Sequence, residues 1–97
     1  YNPDILIDIG TLTLETIASL ADVYAGAFTA NEILADTITK AGIHSDERIW
    51  RLPLGKEFRK HITSDIADVK NLGKSNFAEN VAAAEFLRTF VKHDAWI

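Results

Sequence analysis

Ile5-Leu6-Ile7-Asp8-Ile9, a run of β-branched and apolar residues, follows the turn-forming Asn2-Pro3-Asp4 and stops at Gly10. A run this short, bounded by turn residues, reads as a buried strand. Helical periodicity starts directly behind it, with Leu14, Ile17, Ala18 and Ala21 on one side of a helix over 12–21. Ala25 to Thr29 then reads as a second short strand. Thr29-Ala30-Asn31-Glu32 has the Thr-x-x-Glu spacing of a capping box, in which hydroxyl and carboxylate each take up a backbone donor left over at a helix start. The next helix carries Leu34, Ile38 and Ala41 at i, i+4 and i+7, with Gly42 as its expected C-terminal stop.

This alternation predicts the α/β class: part of a layered α/β/α domain with a central mixed sheet and helices packed on both faces. Two strands make a poor sheet by themselves, so chain outside these residues is expected to complete it.

Beyond the polar turn over 43–48, Pro53 breaks an apolar stretch, and Gly55 to Ile62 predicts a short amphipathic helix showing Phe58 and Ile62. Ile66 and Val69 belong to a weakly extended segment, and Lys70 to Phe77, with Gly, Ser and two Asn, reads as a loop. The last helix, over 78–92, presents Val81, Ala84, Leu87 and Val91 as a stripe widened by Phe86 and Phe90. No internal repeat or low-complexity tract interrupts the pattern.

The chain has 97 residues, room for one domain that buries roughly 60–70% of the surface of its unfolded form. Its 47% hydrophobic and 25% charged residues place it among soluble globular chains. A net charge of −4, with the ten Lys and Arg scattered, excludes a nucleic-acid surface, although Arg48, Arg51, Lys56, Arg59 and Lys60 make the middle locally basic. Zero cysteines exclude a disulfide framework, a thiolate metal site and a thiol nucleophile. No apolar run approaches the ~18–20 residues of a membrane span. There is no methionine, and Trp96-Ile97 ends the chain on two large apolar residues. The expectation is therefore an internal piece of a longer protein.

Residues able to carry chemistry are few. No two of His44, His61 and His93 share the i, i+4 spacing that offers a helix-borne pair of zinc ligands, so all three are expected to face solvent. Asp65 and Asp68, near His61, have the residue types of a hard-metal site, yet such carboxylates more often cap turns and pair with Arg59, Lys60 or Lys70. The run Lys56-Glu57-Phe58-Arg59-Lys60 reads as a solvated helix face. No Gly-x-Ser-x-Gly elbow is present, and Gly73-Lys74-Ser75 lacks the earlier glycine of a phosphate loop because position 68 is Asp. Asp8, inside an apolar run, needs a partner for its carboxylate; neighbouring backbone or Arg51 is expected to supply it.

Five blocks in order carry a family resemblance: Ile7-Asp8-Ile9-Gly10-Thr11-Leu12-Thr13, Tyr24-Ala25-Gly26-Ala27-Phe28, Ile49-Trp50-Arg51-Leu52-Pro53-Leu54, Ser64-Asp65-Ile66-Ala67-Asp68-Val69-Lys70-Asn71-Leu72-Gly73 and Ala82-Ala83-Ala84-Glu85-Phe86-Leu87-Arg88-Thr89-Phe90-Val91. Together they resemble the C-terminal catalytic domain of leucyl (cytosol) aminopeptidases over nearly the whole chain. The resemblance implies a cytoplasmic exopeptidase that releases N-terminal residues from a peptide substrate, using two divalent metal ions, zinc or manganese, to activate water. It also implies a homo-oligomer, typically a hexamer. The family's metal ligands and catalytic Lys and Arg sit in an earlier stretch with the motif Asn-Thr-Asp-Ala-Glu-Gly-Arg, which nothing here matches. No catalytic residue and no metal ligand is carried over, and residues 1–97 alone are expected to be inactive and metal-free, as a partial C-terminal domain dependent on the remainder of its own chain.

What the resemblance does carry over is substrate-site wall: Thr11, Leu12, Thr13 and Leu14, and the start of the last helix at Ala78. Both places depart from the pattern, with Leu14-Glu15 where the family has Gly-Ala and Glu79-Asn80 where it has small residues. Leucine hinders the close backbone approach that glycine allows. The alternative reading, from another class, is a non-catalytic structural or oligomerisation module of a diverged relative.

Overall fold

The computed structural model describes residues 1–62 and 78–97. Among these, the chain forms an α/β arrangement of three α-helices, a 3-10 helix and a two-stranded parallel sheet. In order the elements are α1 (Glu15–Leu20), β1 (Ala25–Ala27), α2 (Glu32–Ser45), β2 (Ile49–Arg51), a 3-10 helix (Lys56–His61) and α3 (Glu79–Phe90).

β1, α2 and β2 make one β-α-β unit, with Ala25 opposite Ile49, Gly26 opposite Trp50 and Ala27 opposite Arg51. Parallel neighbours require a crossover, and α2 supplies it. Thr16 of α1 packs on β1 where Gly26 has no side chain: a Cβ there would stand 3.1 Å from both Thr16 Cγ2 and Leu52 Cδ1. Tyr24 and Trp50 meet edge to face at 5.9 Å beside the strand pair.

The expected strand over 5–9 is reduced to a single parallel bridge between Leu6 and Trp96. Leu6 N–H donates to Ala95 O, Ile97 N–H to Leu6 O and Asp8 N–H to Ile97 O, at 2.9, 3.0 and 2.8 Å. Ile5, Ile7 and Ile9 stay exposed, so the run is not buried here. Asp8 is exposed as well. Its carboxylate does not pair with Arg51, which binds Glu32 and the Thr29 carbonyl instead.

α1 is shorter than the expected 12–21 and buries none of its residues. The start of α2 also differs from the capping box. Asn31 is the N-cap, its Oδ1 accepting from Leu34 N–H at 2.9 Å, and Asn ranks among the best caps. Thr29, buried, donates its hydroxyl to Trp96 O at 2.6 Å, and Glu32 turns to Arg51. Gly42 does not end α2. It lies buried inside the helix because the Glu47 carbonyl crosses over it, 2.6 Å from where a Cβ would be. The left-handed residue that stops the helix is Asp46 (φ 60°).

The buried apolar residues are Val81, Ala82, Ala83 and Ala84 of α3, Leu34 and Ala35 of α2, and Ile62, Trp96 and Ile97. The signature over 64–73, including Asp65, Asp68, Ile66 and Val69, and the expected loop over 70–77 reach beyond the described residues. No described helix is long and apolar enough to cross a membrane.

Candidate functional site

The two segments expected to form substrate-site wall each adjoin one member of a bonded pair, Glu15 and Asn80. Thr11 and Leu12 run exposed into α1, Thr13 is half-buried, and Leu14 is the N-cap residue of α1 with its side chain 75% exposed. Leu14 carbonyl accepts from Ala18 N–H at 3.1 Å, so its backbone is committed to the helix while its side chain is not packed in the core. Thr13 Oγ1 is buried with no hydrogen-bond partner among the described residues.

Ala78 is the N-cap residue of α3, in the left-handed region at φ 54°, and has no side-chain acceptor to cap its own helix. A helix start leaves unpaired N–H groups that need acceptors. Here one comes from α1: Glu15 Oε2 accepts from Asn80 N–H at 2.8 Å. Asn80 Oδ1 accepts from Val81 N–H at 2.8 Å, and Ala78 O from Ala82 N–H at 2.9 Å. A carboxylate at this end also complements the helix dipole. Glu15 and Asn80, visible in the sequence only as departures from a family pattern, are thus partners.

A second cluster lies on the next turns of α3. Glu85 is fully buried and accepts from Gly55 N–H at 3.0 Å, Arg59 Nε at 2.9 Å and Arg88 Nη1 at 3.2 Å. It clamps the 3-10 helix onto α3. Lys56, Glu57, Arg59 and Lys60 are exposed, as a solvated face requires, but Arg59 also reaches the buried Glu85, a clamp that was not anticipated. The available signal was position: Glu85 stands at i+4 from Val81, inside the apolar stripe, with Arg88 three residues on.

Arg51 makes a two-pronged pair with Glu32, at 2.7 and 2.8 Å, and donates to Thr29 O at 2.9 Å. The guanidinium holds the Glu32 carboxyl below its ordinary value, through their hydrogen bonds first and charge second. An open concavity of about 560 Å³ lies beside this pair and is bordered by Pro53, Leu54 and Arg88. It includes none of the five wall residues, and both of its guanidiniums already face a carboxylate.

Of the histidines, His44 is exposed as expected. His93 is not free: Nδ1 accepts from Ala95 N–H at 3.1 Å, which leaves Nε2 to donate to Pro3 O at 2.6 Å. The His61 side chain lies outside what is described. Among the described residues no three His, Asp or Glu side chains converge as a bound metal ion needs. The carboxylates of Glu15, Glu32 and Glu85 serve three separate partners.

The catalytic domain of the cytosol aminopeptidase family matches residues 1–97. A protein of Rhizobium meliloti (strain 1021) named "Probable cytosol aminopeptidase" is 43% identical over 96 residues, covering 99% of this chain. One of the same name from Chloroherpeton thalassium is 44% identical over 97 residues, and a "Probable cytosol aminopeptidase 1" of Shewanella oneidensis is 43% identical over 96. This α/β chain is covered by the match over its whole length. It belongs to the cytosol aminopeptidase family. The chain spans 19% of the length of these relatives.

Proposed function

We propose that residues 1–97 are part of the C-terminal catalytic domain of a metal-dependent aminopeptidase, in which a larger layered sheet is completed by the remainder of the polypeptide. They supply scaffold and one wall of the space that receives the first side chain of a peptide. The observation that carries the wall role is the meeting of the segment 11–15 with the start of α3, joined through Glu15 and Asn80. Two stretches far apart in sequence are thereby tied at one point.

The two metal ions, zinc or manganese by resemblance, would supply the activation of water. By the same resemblance, their ligands belong to an earlier stretch of the full-length polypeptide. What this chain contributes is orientation: a side chain held against a fixed wall places the first peptide bond in register for attack. A cytoplasmic homo-oligomer, hexameric by resemblance, is part of the same proposal.

The test is release of N-terminal residues from short peptides with zinc or manganese present. The full-length polypeptide is expected to release them and residues 1–97 alone to release none. Absence of release by the full-length polypeptide with either ion would sink the enzyme reading in favour of a structural module.

A further inference from the structure

Glu15 is the first residue of α1 and directly follows the 11–14 segment, while Asn80 is the second residue of α3, two past Ala78. Their hydrogen bond, Glu15 Oε2 to Asn80 N–H at 2.8 Å, closes a separation of 65 residues. The bond is built into both elements. At the α3 end, Ala78 offers no side-chain cap, so the donor at Asn80 depends on an acceptor from elsewhere. Asn80 is buried and Glu15 half-buried, which limits competition from water. At the α1 end, the next residue, Thr16, rests on β1 where Gly26 leaves room for it.

We propose that Glu15 is a positioning residue that determines specificity: by holding the start of α3 against the 11–14 segment, it sets the width of the space for the substrate's first side chain. This rests on the wall reading under Proposed function. Glu15 acts through the Asn80 backbone and touches no reacting group. It therefore governs which first side chains are held, and how tightly, rather than the chemical step. The intact bond favours one size class of first residue, and its loss lets α3 and the 11–14 segment part, so that small and bulky first residues are treated more alike.

The experiment uses the full-length polypeptide and three peptides differing only in the first residue: Ala, Leu or Phe. One net hydrogen bond corresponds to about a fivefold effect, so Glu15→Ala should shrink the best-to-worst ratio of kcat/KM by about that factor. The change should come through KM, with kcat held within about twofold. Glu15→Gln keeps an acceptor and should restore the ratio. If Glu15→Ala does not fold, Glu15→Asp, one methylene shorter, carries the same test. A lowered melting temperature with an unchanged ratio overturns the proposal, as does a parallel loss of kcat on all three peptides. Leu14→Gly in the same assay separates the two readings. If it shifts selectivity while Glu15→Ala does not, the wall stands and the positioning role fails. If neither shifts it, the wall reading fails as well.

Discussion

The Glu85 carboxylate, without solvent exposure, lies 2.9 Å from Arg59 Nε, so the half-exposed arginine of the 3-10 helix is the visible end of a buried ion pair. Gly55 N–H and Arg88 complete the carboxylate's bonding, which keeps a buried charge from standing alone.

Replacing either partner should therefore destabilise, though less than the 3–5 kcal/mol of a fully orphaned buried charge. Glu85→Gln and Arg59→Ala are each expected to cost about 1–3 kcal/mol in equilibrium urea denaturation. The double variant should cost less than the sum, because both changes remove the same bond. Additive costs would show that the pair is not coupled.

β1 and α2 were legible in the sequence because their signals are local: a short apolar run, a helical stripe from Leu34, and turn residues between them. β2 was not: Ile49 to Arg51 reads only as part of an apolar stretch before Pro53, and it becomes a strand by pairing with β1. What was not legible depends on tertiary partners. Thr29 and Glu32 have capping-box spacing, but Trp96 O and Arg51 compete for them and win, and Asn31 takes the cap. The position of Glu85 in the helix does not by itself separate it from a surface charge; its burial depends on Gly55 and Arg59, which close over it. The wall residues came from family resemblance alone. Their meeting through Glu15 and Asn80 depends on a fold that no spacing rule reads.

Gly42 offers a case where propensity and packing oppose each other. Alanine is favoured over glycine inside a helix by about 1 kcal/mol. The Glu47 carbonyl, however, lies 2.6 Å from the site of the new Cβ, and backbone cannot swing aside as a flexible side chain does. Gly42→Ala should therefore destabilise by about 1–3 kcal/mol, as overpacking does. A raised melting temperature would mean that the turn after α2 relaxes freely.

The Glu32–Arg51 pair predicts a pH effect with a definite sign. Glu32 has its pKa lowered in the folded state by Arg51. Its contribution is thus fully present above the unfolded-state value and is lost as pH falls through the lowered folded value. Arg51, raised from an already high value, adds nothing in that window. In Glu32→Gln the acid limb of stability should be shallower than in the parent chain, and the difference should shrink with added salt because the pair is exposed. Identical acid limbs would remove the pair from the account.

Residues 1–97 by themselves are expected to self-associate. Ile5, Ile7 and Ile9 are exposed, and their backbone groups form no hydrogen bonds among the described residues, whereas Leu6 and Asp8 pair with 95–97. An exposed apolar strand edge templates pairing with another copy. Sedimentation velocity should show association increasing through the micromolar range, and Ile7→Lys should suppress it. A concentration-independent monomer would count against an open edge.

Leu14 separates packing from selectivity. Its side chain is 75% exposed at the N-cap position of α1, so it is not a core leucine of the kind whose truncation costs 2–5 kcal/mol. Glycine is nearly as acceptable there as the better caps, and Leu14→Gly should change the stability of residues 1–97 by less than about 1 kcal/mol. In the full-length polypeptide the same substitution clears space beside the proposed wall. Turnover of peptides with bulky first residues should then rise relative to small ones. Two measurements on one variant decide the matter: thermal melting, and kinetics on a pair of peptides differing only in the first residue. A large loss of stability with unaltered preference would place Leu14 in the packing of the complete domain and remove it from the substrate wall.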